Sequence, residues 1–246
     1  MIERYSRKAA VIAAFFFTLG LFAPSTYASI DVSPVRLDLT DGHDKDVIHI
    51  GNRDESDKSY QVEVVAWSQT DERREVYAPT DDLLAVPILF TLKPGEEQLV
   101  RVGMLQPADA KVERSYRVFI TEIAAPQTDE EESAGVRMRI QVGIPVFVSP
   151  SQGVPFATLD YLSSMRVDDT LFVRFRNSGN THVKVVETQH APPGAAEKTV
   201  NPALVYILAG QTGYLPVSLP DGNSGGTLSI VTENLGTLEY ELPLAP

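Results

Sequence analysis

Residues 136–146 read VRMRIQVGIPV, with Val136, Met138, Ile140, Val142, Ile144 and Val146 at every second position. In an extended strand these six project to one face, while Arg137, Arg139 and Gln141 project to the other. An ordinary half-buried strand of about 5 to 6 residues accounts for half of this row. The other half needs a partner.

Working outward, period-two apolar segments recur on both sides of this stretch, and helical spacing is scarce. Upstream, strands are predicted over 30–39, 46–51, 60–67, 88–92, 98–102 and 116–123, separated by the polar turn sequences GNRDESDKS, APTDD and KPGEE. About seven short strands in roughly 120 residues is the pattern of an antiparallel β-sandwich of immunoglobulin type. The acidic run TDEEESAG, residues 128–135, is read as a mobile loop leading into the opening stretch. Downstream, FVSPSQGVP at 147–155 interrupts the pattern with two prolines and a glycine, and a domain boundary is placed there. The rest keeps the all-β habit in TLFVRFRNSGNTHVKVVETQ, ALVYILAGQTGYLPVSL and GTLSIVTENLGTLEYEL. Within it VRFRNSGNTHVKVVE echoes IHIGNRDESDKSYQVEVV: strand, asparagine, polar turn, strand. We read the echo as shared geometry.

The N-terminus carries Arg4, Arg7 and Lys8, an apolar run from Ala9 to Phe22, and the small residues Ser25, Thr26 and Ala28 around Tyr27. Basic start, short apolar run and small-residue end are the marks of a secretory signal peptide cleaved after Ala28. The expected organisation is therefore a signal at 1–28, a first domain at 29–150 and a second at 151–246. No later segment is long and apolar enough to span a membrane, so the mature chain is expected to be soluble and exported. The signal holds three basic residues and one acid, so its loss takes the formal charge from −12 to −14, which disfavours nucleic acid as a partner. With no cysteine among 246 residues, an exported chain must rely on its cores alone.

Catalytic chemistry finds little support. There is no Gly-x-Ser-x-Gly elbow, phosphate loop or dinucleotide fingerprint. His43 and His49 in HDKDVIH are read as a polar turn and a strand with one outward histidine, and no metal or cofactor site is predicted. Paired carboxylates such as Asp81 and Asp82, or Asp168 and Asp169, are read as solvated turns rather than an acid/base pair. No catalytic residue is assigned, and the chain is not expected to be an enzyme. More suggestive are arginines set inside apolar strands of an acidic protein: Arg36, Arg101, Arg117, Arg137 and Arg139. One account puts each on an outward face or beside an acid such as Glu113 or Glu122. The other takes them together as a cationic cleft, where the planar guanidinium fork suits the carboxylate of a chain terminus.

ILFTLKPGEEQLVRVGM (88–104), ERSYRVFITEI (113–123) and IPVFVSP (144–150) together resemble the periplasmic chaperones of the chaperone-usher pathway, which assemble pili on Gram-negative bacteria. The resemblance covers nearly all of the mature first domain and, more loosely, the second. Its SYR and IPVF wording looks most like the archaic branch. It implies two immunoglobulin-like domains in an L-shaped arrangement, with the opening stretch exposed along one edge of the first. It also implies that pilin subunits, each lacking a final strand, are completed by that edge and then passed to an outer-membrane usher. Val136, Met138, Ile140 and Val142 are then the donated side chains, and Ile144 and Val146 anchor the strand in the chaperone. Burial at about 1.5 to 3 kcal/mol for each donated residue suffices for capture. The subunit's terminal carboxylate falls to Arg36 and Arg117. The cleft lysine of the better-known branch is absent, Pro145 standing in its place, and Arg117 is the expected substitute. Arg101 is expected to be structural. So apolar an edge invites aggregation, and a self-capping homodimer, or cover from the acidic loop, is a further expectation. The competing reading is an exported adhesive or structural β-sandwich, with a secreted hydrolase third.

Overall fold

The computed structural model describes residues 29–70, 74–109, 111–123, 139–195, 198–219 and 225–243, so the signal segment, the acidic run, Val136 and Met138 lie outside the described residues. The described residues are all-β. The first sandwich contains β1 (Ile30–Ser33), β2 (Leu37–Leu39), β3 (Lys45–Asn52), β4 (Lys58–Gln69), β5 (Glu75–Pro79), β6 (Leu83–Val86), β7 (Leu89–Leu92), β8 (Glu97–Met104), β9 (Arg114–Ile123) and β10 (Gln141–Val148). One sheet runs β1-β3-β8-β6, and the other runs β2-β10-β9-β4-β5 with β7 also paired to β4. The second sandwich contains β11 (Leu159–Val167), β12 (Thr170–Asn177), β13 (Val183–Ala191), β14 (Thr199–Ile207), β15 (Thr212–Ser218), β16 (Gly226–Thr232) and β17 (Gly236–Leu242). Its sheets run β11-β12-β15 and β14-β13-β16-β17.

Period-two patterning explains most of these elements. In β9, Tyr116, Val118 and Ile120 enter the core while Arg117 and Phe119 turn away; in β3, Ile48 and Ile50 enter and His49 faces out. Each sandwich closes over its own apolar cluster, one built around Ile48, Val100, Val118 and Ile144, the other around Val173, Phe175, Leu215 and Ile230. The asparagine echo has a physical basis. Asn52 and Asn177, both 0% exposed, end β3 and β12 and tie the following turn to a distant strand. Asn52 donates to the Ser56 and Leu92 carbonyls and accepts from Asp54 N–H; Asn177 donates to the Thr181 and Ile207 carbonyls and accepts from Gly179 N–H.

The structure departs from the sequence reading in several places. Residues 30–39, one strand by pattern, are two: the chain leaves one sheet after Ser33 and joins the other at Leu37, across Pro34, which has no N–H for a ladder. The short β5 and β6 were not expected; β5 is exposed along its whole length and so shows no alternation of burial. Strand β10 continues through Phe147 and Val148, into the stretch assigned to the boundary, and the next strand begins at Leu159. The acids proposed to pair with strand arginines do otherwise: Glu113 meets His182 and Glu122 meets Lys58.

The sandwiches meet through a small apolar cluster of Trp67, Phe147, Leu208 and Tyr206, with the His182 ring stacked on Phe147 at 3.6 Å between centroids. Gln69 works there like a strand residue. Its side chain accepts from Leu208 N–H at 3.0 Å and donates to the Tyr206 carbonyl at 2.7 Å. Buried Glu113 adds a second tie, accepting from both His182 N–H and the His182 ring. No described helix is long and apolar enough to cross a membrane.

Candidate functional site

Strand β10 has two unlike halves. From Val146 to Val148 it lies between β9 and β2, paired on both sides. At 141–145 it pairs with β9 alone, and among the described residues no strand takes its other side. Ile144 and Val146 are sealed in the first core as expected of anchors. Val142, read as a donated side chain, is half-buried and packs against this same core; Ile140 is half-buried just ahead of the strand, its carbonyl accepting from Glu122 N–H. What 141–145 leaves open is therefore chiefly its backbone edge.

Beside that edge a cleft of about 720 Å³ separates the two sandwiches, lined by Arg36, Arg117, Pro145, Lys184, Tyr206 and Glu233 among others. Arg36 and Arg117 are thus brought together. Arg101 is not: it is exposed on β8 in the opposite sheet. Arg139 is exposed ahead of β10, and Arg137 lies outside the described residues.

The two cleft arginines differ in surroundings. Arg36, in the link between β1 and β2, donates from Nε to Asp38 at 2.9 Å and from Nη1 to Glu233 at 2.7 Å. Burial works against its charge, but the Glu233 bond and Asp38 outweigh it, and its pKa rises above the ordinary arginine value. Arg117 stands on the outward face of β9, its guanidinium 4.1 Å from the centre of the Trp67 ring and 3.4 Å from one Glu75 oxygen. Its Nε is buried with no hydrogen-bond partner among the described residues. Pro145 is its direct cross-strand partner, and Gly143 next along leaves room for Phe119, since an added Cβ there would sit 2.9 Å from that ring. Tyr77, which donates to Glu75 and stacks edge-on with Phe119, has its hydroxyl pushed up to about 12, by burial first and by Glu75 second.

Sequence reasoning missed Lys184 and Glu233, which face Arg36 from the second sandwich. Lys184 Nζ lies 2.5 Å from Glu233 Oε2. Nothing local in KVVE or TENLG marks them; only the meeting of two domains does. Two apolar residues also stand in solvent at the cleft, Val35 at 74% and Leu204 at 75% exposure. Among the described residues no three His, Cys, Asp or Glu side chains gather as a metal site, and His43 lies 4.0 Å from Asp46 alone.

Residues 29–153 match the family of pili and flagellar-assembly chaperones through the PapD N-terminal domain. The chain belongs to this family. Among solved structures it is similar to a chain of the CsuC–CsuE chaperone–tip adhesion subunit pre-assembly complex, from archaic chaperone-usher Csu pili of Acinetobacter baumannii. The identity is 16%, over 87% of this chain and 98% of that one, with a TM-score of 0.63. A chain of the Salmonella enterica SafA pilin–SafB chaperone complex gives 13% identity over 89% and 98%, at 0.58. The E. coli chaperone DraB gives 15% over 88% and 98%, at 0.54. At these identities the likeness establishes the two-sandwich fold. Comparison with curated protein sequences finds no match.

Proposed function

We propose that this chain is a periplasmic chaperone that holds pilus subunits by lending them the open edge of β10 and delivers them to an outer-membrane usher. The observation that carries this reading is the one-sided pairing of 141–145, next to a cleft that holds Arg117. A subunit strand laid against that edge gains main-chain hydrogen bonds along the free side. Its apolar groove would receive Ile140 and the preceding Val136 and Met138, with Val142 at the junction where the row passes into the chaperone's own core. The strand's terminal carboxylate then falls at the cleft, where the Arg117 guanidinium lies over the Trp67 ring, its buried Nε without a hydrogen-bond partner among the described residues.

Pro145 pairs directly with Arg117, which supports the replacement that the resemblance implies, the cation standing one strand over from the position where the better-known branch carries its lysine. Arg36 is the second anchor. Domains bounded at 29–150 and 151–246 suit this arrangement, since the cleft is built from both. Pairing of two open edges gives a self-capping homodimer of the unloaded protein.

The test is co-expression with a pilin subunit and recovery from the periplasm. Ile140→Asp and Arg117→Ala should each lose the subunit, by about tenfold or more for a 1.4 kcal/mol loss, while the chaperone itself still accumulates. Undiminished subunit recovery with both variants would refute the reading.

A further inference from the structure

Arg36 and Lys184 approach the cleft from different domains and share one carboxylate. Glu233 takes Arg36 Nη1 on Oε1 at 2.7 Å and Lys184 Nζ on Oε2 at 2.5 Å, while Asp38 holds Arg36 Nε. Two cations and two carboxylates therefore balance at this corner of the cleft. A third carboxylate arriving there finds no net positive charge while Glu233 stays in place.

Glu233 is built to move its side chain without moving its backbone. It lies in the β16–β17 turn, whose main chain is pinned: Glu233 N–H donates to the Lys184 carbonyl, Asn234 Nδ2 to the His182 carbonyl and Leu235 N–H to Thr232 Oγ1, each at 2.9 Å. Its side chain is 39% exposed, so a rotamer change carries it into water. Lys184 first and Arg36 second hold its pKa below the ordinary carboxylate value, so it remains a charged competitor. An ion pair this exposed contributes little net stability. A strand already paired along β10 presents its terminus at high effective concentration and can displace such a group.

We infer that Glu233 is a resident stand-in for the subunit's terminal carboxylate, occupying Arg36 and Lys184 in the unloaded chain and yielding both on capture, which makes Lys184 the second domain's member of the anchoring set. The inference rests on the carboxylate-anchoring reading above.

The experiment titrates the full chain with a short peptide of alternating threonine and valine that ends in a free carboxylate, and with the same peptide ending in a carboxamide. The wild type should prefer the acid. Glu233→Gln, which removes the competing charge, and Glu233→Asp, too short to span both cations, should each bind the acid peptide about tenfold tighter, because apparent affinity scales with the fraction of open sites. Neither should change binding of the carboxamide. Equal binding of acid and carboxamide by the wild type overturns the anchoring reading and this inference with it. A wild-type preference for the acid that either Glu233 variant leaves unchanged or weakens overturns this inference alone, and makes Glu233 an interdomain clip.

Discussion

Among the described residues, each sandwich ends its chain path on a strand with an unpaired side, along the whole of β17 and over 141–145 of β10, and the two are dressed differently. In β17, Thr237, Glu239 and Glu241 alternate outward with Leu238, Tyr240 and Leu242 turned in, so the exposed face of that edge is acidic. In β10 the unpaired part reads Gln141, Val142, Gly143, Ile144, Pro145, with no charge in it. Charges on edge strands discourage another chain from pairing, and their lack invites it. One molecule thus shows a guarded edge and an open one, on the same kind of scaffold.

The largest expected effect separates the two strands by what their inward residues support. Ile144→Asp buries a carboxylate in the first core and should cost more than about 4 kcal/mol, unfolding that sandwich. Leu238→Asp, at a half-buried site on β17, should cost about 2 kcal/mol. Thermal unfolding followed by calorimetry checks both, and equal losses would erase the distinction. Next, replacing Glu239 and Glu241 by valine together should unguard β17 and strengthen self-association about tenfold by sedimentation, roughly 1.4 kcal/mol. Unchanged association would mean that charge is not what guards that edge.

The smallest effect concerns the tie between the domains. The folded-state pKa of Glu233 is depressed, so its contribution is present above the ordinary carboxylate value near 4.5 and fades as pH falls below it. Exposure keeps this on the order of 0.5 kcal/mol. A pH series of unfolding midpoints should fall slightly more below pH 4.5 in the wild type than in Glu233→Gln, and parallel curves would remove the contribution.

The legibility of these features in the sequence follows their range. Ile48, Ile50, Tyr116, Val118 and Ile120 declare their faces by alternation alone, because a strand against a core needs every second side chain apolar. Asn52 and Asn177 were visible as an echo, though the carbonyls they bind, on Leu92 and Ile207, lie far along the chain. Arg36 and Arg117 were legible as cations in apolar company. Their partners were not: Glu75 sits on a strand without alternation, and Glu233 lies 197 residues from Arg36. Val142 shows the limit in the other direction, since its place in the apolar row did not reveal that it packs against the chain's own core.

By itself, then, the sequence determined an all-β chain of two sandwiches, the apolar strand that closes the first, and the two arginines, Arg36 and Arg117, that come to line the cleft, since these rest on periodicity and residue chemistry that act within a few neighbours. The tertiary structure alone decided which half of β10 is paired on both sides, that Arg117 lies over Trp67, and that Glu233 joins Arg36 to Lys184. Pairing partners and charge neighbours are set by contacts between distant segments, and a pattern of local spacing carries no record of which distant segment arrives.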